Sequence, residues 1–176
     1  MKKNWHIIYT KANCEKKIAA LLTKRKIENY CPLNRMKVNK GNKTKLLFEP
    51  LFPSFVFVYI SAADMALIRK ISAVINFVYW MGNPAVIKKN EVERIQQFTT
   101  QFSNISLSKI DIYNNGMVRV IGQSPVEAKA ESSLMLLKDS TCKLLLPSMG
   151  YAIIAEIENP ASDVFIYGLK KMKPVF

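Results

Sequence analysis

Acidic side chains are scarce in this chain of 176 residues: 13 Asp+Glu stand against 26 Lys+Arg, a formal charge of +13. An imbalance of that size is unfavourable to hold in a compact domain, and it directs attention to polyanionic partners. Histidine is scarcer still, with His6 alone, and the three cysteines, Cys14, Cys31 and Cys142, lie far apart without a Cys-x-x-Cys pair. Neither a zinc site of the usual spacing nor a disulfide framework is supported, which leaves reduced, structural thiols. The six glycines are scattered, so nothing resembles a Gly-rich phosphate cradle. No apolar run approaches the roughly 20 residues that span a bilayer. Residues 1–4 lead straight into a strand pattern with no signal-peptide core, which implies a cytoplasmic protein without a membrane partner.

Catalytic groupings are missing as well. His6 sits between Trp5 and Ile7, no Ser or Cys has a visible base partner, and no acids pair on a plausible cleft wall. A nucleophilic triad has nothing to build on. The chain therefore reads as a non-enzyme without a cofactor, and His6 as a packing or surface residue.

What the chain does have is hydrophobic content of 49%, enough for one medium domain or two small ones. The stretch Glu49-Pro50-Leu51-Phe52-Pro53-Ser54-Phe55-Val56-Phe57-Val58-Tyr59-Ile60 is apolar on both sides of a strand. With a period of two, Val56, Val58 and Ile60 point one way and Phe55, Phe57 and Tyr59 the other. The branched side suits a face under helices. The aromatic side is core if a second layer covers it, and a sticky outer surface if none does. Pro50 and Pro53 cannot sit inside a paired central strand. They predict a rigid bend that displays Leu51 and Phe52 at the strand's edge.

Around this stretch the order is strand, helix, strand, strand, helix, strand. Residues 5–10 form the first strand. A helix capped by Asn13 runs to about Lys26, with Ile18, Leu21 and Leu22 on its buried side. Residues 30–38 and 46–48 flank a basic hairpin tip at Gly41-Asn42, around which Lys37, Lys40, Lys43 and Lys45 gather with no acid among them. A short helix over 62–70 and a strand over 74–79 complete a ferredoxin-like βαββαβ unit, with helices on one face of an antiparallel sheet and the other face bare. Asn90 and Glu93 open a third helix, reaching Phe102. The Ser/Asn-rich residues 103–115 read as a linker. After them the texture changes to short β runs at 117–121, 133–137, 142–146, 151–157 and 164–169, which predicts a small all-β barrel over 116–176, while 127–131 is locally helix-favouring. The fold class expected is α+β: a domain over 1–102, a linker, and the barrel.

The segments Trp5-His6-Ile7-Ile8-Tyr9, Glu15-Lys16-Lys17, the run from Glu49 to Val58, and Gly82-Asn83-Pro84-Ala85-Val86-Ile87 resemble the N-terminal domain of NusG-family transcription elongation factors. Within that family the Glu-Pro-Leu-Phe-Pro opening at 49–53 is similar to that of specialised, operon-specific paralogues such as RfaH and the antiterminators of capsular polysaccharide operons. The resemblance implies that the domain binds the clamp of the large subunit of RNA polymerase through an aromatic patch and suppresses pausing and termination. Carried over by position, the patch comprises Leu51, Phe52, Phe55 and Phe57 with Tyr9 beside them. Lys11 and Lys17 would lie where those paralogues touch the non-template DNA strand, and Lys37, Lys40, Lys43 and Lys45 would add contacts to nucleic acid. Ser54 stands where many members carry Gly. Val118-Arg119-Val120-Ile121-Gly122 is similar to the opening of a KOW-type, SH3-like barrel, whose role would be to recruit a further protein. A ferredoxin-like sheet with bare aromatics is also how an RNA-binding domain stacks bases, so RNA binding stands as the alternative. An interaction module unrelated to nucleic acid would leave the +13 unexplained.

Overall fold

The computed structural model describes residues 2–113, 117–121, 126–129, 135–138 and 141–157. In chain order these form β1 (Asn4–Thr10), α1 (Glu15–Lys24), β2 (Asn29–Tyr30), β3 (Leu33–Lys40), β4 (Lys43–Pro50), β5 (Phe55–Ile60), α2 (Met65–Arg69, preceded by a 3-10 turn), β6 (Val74–Phe77), β7 (Tyr79–Trp80), β8 (Asn83–Pro84), β9 (Val86–Ile87) and α3 (Lys89–Gln101). They continue with β10 (Ser106–Ile112), β11 (Met117–Val120), β12 (Val126–Lys129), β13 (Met135–Lys138), β14 (Thr141–Leu146) and β15 (Tyr151–Glu156).

The first sheet has the order β2-β5-β1-β6, all antiparallel, with β9 also paired to β1. Because α1 returns the chain parallel to β1, β5 fits between β1 and β2 and runs against both, the split βαβ arrangement. Ile8, Val56, Val58 and Ile60 face α1 and α2, where they pack with Ile18, Leu22 and Ile68 in one buried cluster. That half of the expectation holds. Two helix starts differ from it: α1 is capped by Cys14 and α3 by Lys88, neither with a side-chain hydrogen bond. Asn13 instead takes a left-handed conformation (φ 60°), which Asn tolerates better than most residues.

The basic loop is the tip of a long hairpin. β3 and β4 pair from Leu33↔Pro50 to Lys40↔Lys43, and Gly41 (φ 59°) supplies the left-handed residue that a two-residue hairpin loop requires. The hairpin's base is pinned to the segment after α3. The Asn34 carboxamide donates to Ile105 O (2.8 Å) and accepts from Ile105 N–H (2.9 Å), and Arg35 donates to the carbonyl of Thr100 (2.6 Å).

The second sheet, of six strands in the order β12-β11-β10-β15-β14-β13, departs most from expectation. Ser106–Ile112, inside the stretch read as a linker, is the strand β10, paired on one side with β15 and on the other with β11. Its side chains are mostly exposed, so main-chain pairing holds it rather than burial, and a Ser-rich composition conceals such a strand. Val126–Lys129, which overlaps the stretch 127–131 read as helix-favouring, is also a strand, since its pairing with β11 overrides local propensity. The run expected at 164–169 lies outside the described residues.

The sheet face expected to be bare is covered. Trp5, Ile7, Leu51, Phe52 and Phe57 share one buried cluster with Val92, Ile95 and Phe98 of α3 and with Cys142, Leu144, Leu146, Ile153 and Ala155 of the second sheet. Leu145, Ala152 and Ile154, at the alternate positions, turn to the second sheet's own core with Ile110, Val118 and Val120. β14 and β15 are therefore apolar on both faces, as β5 is, because one face joins the aromatic cluster and the other the second sheet's own core.

Replacing Asn34 with Ala removes both bonds to Ile105 and leaves two main-chain groups unpartnered where Asn34 is buried. A loss of about 2 kcal/mol in urea unfolding is expected. A loss under about 0.5 kcal/mol, the range of an ordinary surface change, would show that the pair does not pin the hairpin.

Candidate functional site

The bend before β5 is set by main-chain contacts. Leu51 N–H donates to Pro32 O (2.8 Å), Phe55 N–H to Phe52 O (3.1 Å) and Thr10 N–H to Ser54 O (2.8 Å). Ser54 itself has φ 65°, a left-handed conformation that costs a residue with a Cβ about 1–2 kcal/mol. The offset is visible: Ser54 N–H donates to Glu15 Oε1 at 2.6 Å, and Glu15 is buried in the first turn of α1. A charge-assisted bond contributes about 1.5–3 kcal/mol. One carboxylate thus holds the bend against the helix, and the bend aims Leu51 and Phe52 at the sheet face rather than away from it.

The aromatic residues form a graded series from covered to open. Phe57 is fully buried, Phe52 is 1% exposed and Leu51 5% exposed, whereas Phe55 is half-buried and Tyr9 is 43% exposed. The display of Leu51 and Phe52 expected at the strand's edge is therefore reversed, because the second sheet closes over them. Phe52 meets Phe57 edge-on at 5.9 Å and Tyr151 of β15 edge-on at 6.2 Å, so Tyr151 is the direct lid on Phe52. Tyr9 and Phe55 pair edge-to-face at 5.9 Å at the rim. Beside that rim runs an open groove of about 820 Å³ lined by Ile7, Phe55, Trp80, Val86, Ile112 and Tyr151 among others. Such tilted ring pairs add about 0.5–1.5 kcal/mol to area burial.

The basic residues occupy other surfaces. Lys11 and Lys17, after β1 and on α1, are exposed, as are Lys37, Lys43 and Lys45 on the hairpin, where Lys40 pairs with Lys43 in the main-chain register. Since Lys37 is opposite Leu46 and Lys45 is opposite Val38, Lys37 projects from one face of the hairpin and Lys43 and Lys45 from the other. The residues grouped as one basic cluster are thus divided between two sides.

Burial acts on His6, Cys31 and Cys142. His6 is buried with Nδ1 2.9 Å from Ala85 O, and burial lowers its pKa. Burial pushes the Cys31 thiol up to about 11 and the Cys142 thiol up to about 12, far from the thiolate that a nucleophile needs. Among the described residues no group of His, Cys, Asp and Glu could hold a metal ion, and no helix is long and apolar enough to cross a membrane.

Missed in the sequence were Glu15 as the anchor of the bend, Tyr151 as the lid, and the exposed Tyr79, Trp80 and Met81 on the β7–β8 hairpin. A signal for the lid existed, because Leu144-Leu145-Leu146 and Ala152-Ile153-Ile154-Ala155 are unbroken apolar runs, the mark of strands buried on both sides. No signal marked Glu15, since its partner is a backbone N–H 39 positions away.

Residues 3–96 match the model of the NusG family, described as transcription termination factor nusG. No curated protein matches the chain. Among solved structures it is similar to NusG of Thermotoga maritima, in a study titled "Domain interaction in Thermotoga maritima NusG", at 17% identity and a TM-score of 0.43, over 90% of this chain and 99% of that one.

Truncation should sort the aromatics by burial. Phe52→Ala and Phe57→Ala are each expected to destabilise the full chain by about 3–5 kcal/mol in chemical denaturation. Tyr9→Ala, at the rim, should cost under about 1 kcal/mol. Equal costs at all three positions would contradict the covered arrangement.

Proposed function

Because the chain belongs to the NusG family, we propose that it is a transcription elongation and antitermination factor that binds the clamp of RNA polymerase through the face carrying Tyr9, Leu51, Phe52, Phe55 and Phe57. The observation that carries this reading is the concentration of aromatic rings at one end of a sheet face, with only the Tyr9–Phe55 rim open and the remainder under a separate sheet. Aromatic anchors in desolvated pockets dominate protein interfaces. The cover must leave before all five residues can engage, so the described arrangement is the resting one. On this reading residues 1–102 are the polymerase-binding domain, and residues 116–176, read as a KOW-like barrel, serve together with β10 first as cover and, once released, as a surface for a further protein.

The Glu-Pro-Leu-Phe-Pro opening at 49–53 favours a specialised paralogue that acts on particular operons, those for polysaccharide synthesis by resemblance. Lys11 and Lys17, both exposed, are assigned to the non-template DNA strand, with Lys37, Lys40, Lys43 and Lys45 as further contacts to nucleic acid. The charge of +13 supports a polyanion close to the docked protein. Base stacking on the sheet face, the alternative, would need the same rings to be uncovered.

Two measurements test the proposal. Tyr151→Ala removes the lid on Phe52 and should increase capture of core RNA polymerase by the full chain, whereas Phe55→Ala should weaken it by about 2 kcal/mol, roughly thirtyfold. Capture indifferent to both changes, with single-stranded RNA affinity falling instead in Phe55→Ala, would transfer the face to RNA. Separately, each phosphate neutralised adds about 0.7–0.9 to the slope of log affinity against log salt. Lys11→Ala with Lys17→Ala should therefore lower that slope, measured on a transcription complex, by about one to two, and an unchanged slope removes both residues from the DNA contact.

A further inference from the structure

Glu91, in the first turn of α3, is 2% exposed. Its Oε1 accepts the Ser148 N–H at 3.4 Å from the turn between β14 and β15, and its Oε2 is buried with no hydrogen-bond partner among the described residues. Charge-assisted bonds are ordinarily about 2.7–2.9 Å long. Weak bonding from Ser148 alone is thus what the second sheet offers this carboxylate in place of its hydration, at the seam where α3 meets that sheet. The cations that act on it, Lys88 and Arg94, are beside or on α3. Residues 147–150, which close over it, are Pro, Ser, Met and Gly and bring no charge. The helix dipole and both cations favour the ion whether the second sheet is docked or not. The second sheet's turn adds burial and the Ser148 donors, backbone and side chain. Burial is the largest influence on the carboxyl and raises its pKa above the ordinary 4.5, ahead of the Ser148 bonds and the two cations that lower it.

We propose that Glu91 is a release element: a carboxylate sealed at the contact between α3 and the β14–β15 turn, which holds the cover over the Phe52 face more weakly than its apolar area alone would. The sign of the pH dependence follows from linkage. Closing raises the pKa of a carboxyl, so the closed state binds the proton more tightly and closing takes up a proton. The cover is therefore tightest below the ordinary value of 4.5, loosens as pH rises through the raised value of the closed state, and stays loosened above it.

Cys142 reads opening without any polymerase present, because it is fully buried on the face of β14 that joins the Phe52 cluster. In a Cys14→Ser, Cys31→Ser background, the full chain is treated with 4,4′-dithiodipyridine, which reacts with thiols in acid as well as at neutral pH. At pH 7.5 Glu91→Gln is expected to react more slowly than the parent by roughly five- to tenfold, the low end of what one unpartnered buried polar group costs. The ratio of the two rates should approach one as pH falls below 4.5. Glu91→Leu removes the charge without adding an unpartnered amide, and it guards against a Gln variant that packs poorly. Slower reaction at pH 7.5 in either variant supports the release role. Reaction as fast as the parent or faster in both, or a ratio that does not change with pH, overturns it.

Discussion

The central sheet is apolar on both of its faces, and among the described residues the three helices and the second sheet are placed so as to cover both. Val56 and Val58 on one side and Phe57 on the other are fully buried within a single six-residue strand. Leaving one Phe side chain exposed instead forfeits about 1.5–3 kcal/mol, a large part of the 5–15 kcal/mol that separates a folded domain from its unfolded chain. The helices α1 and α2 satisfy the branched face. Nothing in the first sheet can satisfy the aromatic one, so α3 and the second sheet are drawn onto it. The choice is between an intramolecular cover and a partner, and the same side chains suit either.

That choice explains why the bend at 51–54 is built with a strained residue. A smooth entry into β5 would carry Leu51 and Phe52 along the strand direction and away from the aromatic face. The left-handed Ser54 turns the chain so that Phe52 lies edge-on to Phe57, and Glu15 secures the turn from the opposite layer. The aromatic face and the helix layer are therefore coupled through one carboxylate. A carboxylate is suited to this, since at the first turn of a helix it meets the positive end of the dipole while its oxygen accepts a backbone N–H.

Much of the first sheet is legible from residues alone, because its strands obey a period of two and its helices carry one apolar stripe. β1, α1, the β3–β4 hairpin, β5, α2, β6 and α3 all fall where those patterns put them, within a few residues. The candidate site is legible as composition and not as exposure. Periodicity shows that Phe55 and Phe57 share a side and says nothing about what lies on it, since Phe52 is buried under a sheet whose Tyr151 comes some hundred positions later. The prolines at 50 and 53 point to a bend without pointing to its direction, which depends on Glu15 and Pro32 through main-chain bonds. β10 escapes notice for the opposite reason, because its stability is in its hydrogen-bond ladders and its side chains are largely in water.

A cover tethered to the surface it hides has a consequence for any competitor. Two modules joined closely in one chain meet at a high effective concentration, of millimolar order, so a weak intrinsic contact suffices to keep the face closed. The competitor's apparent affinity falls by the fraction of molecules that are open. An apolar contact of this extent, left unopposed, would close the face so firmly that only a very tight partner could take it. In the proposed release role, polar flaws at the seam, such as the Glu91 oxygen without a hydrogen-bond partner among the described residues, are an adjustment of the resting equilibrium rather than a defect of packing. They leave the layer order intact while shifting the open fraction, and a shift of only about 1.4 kcal/mol changes that fraction tenfold. The aromatic face can in this way be large enough to anchor a partner and still remain available to it.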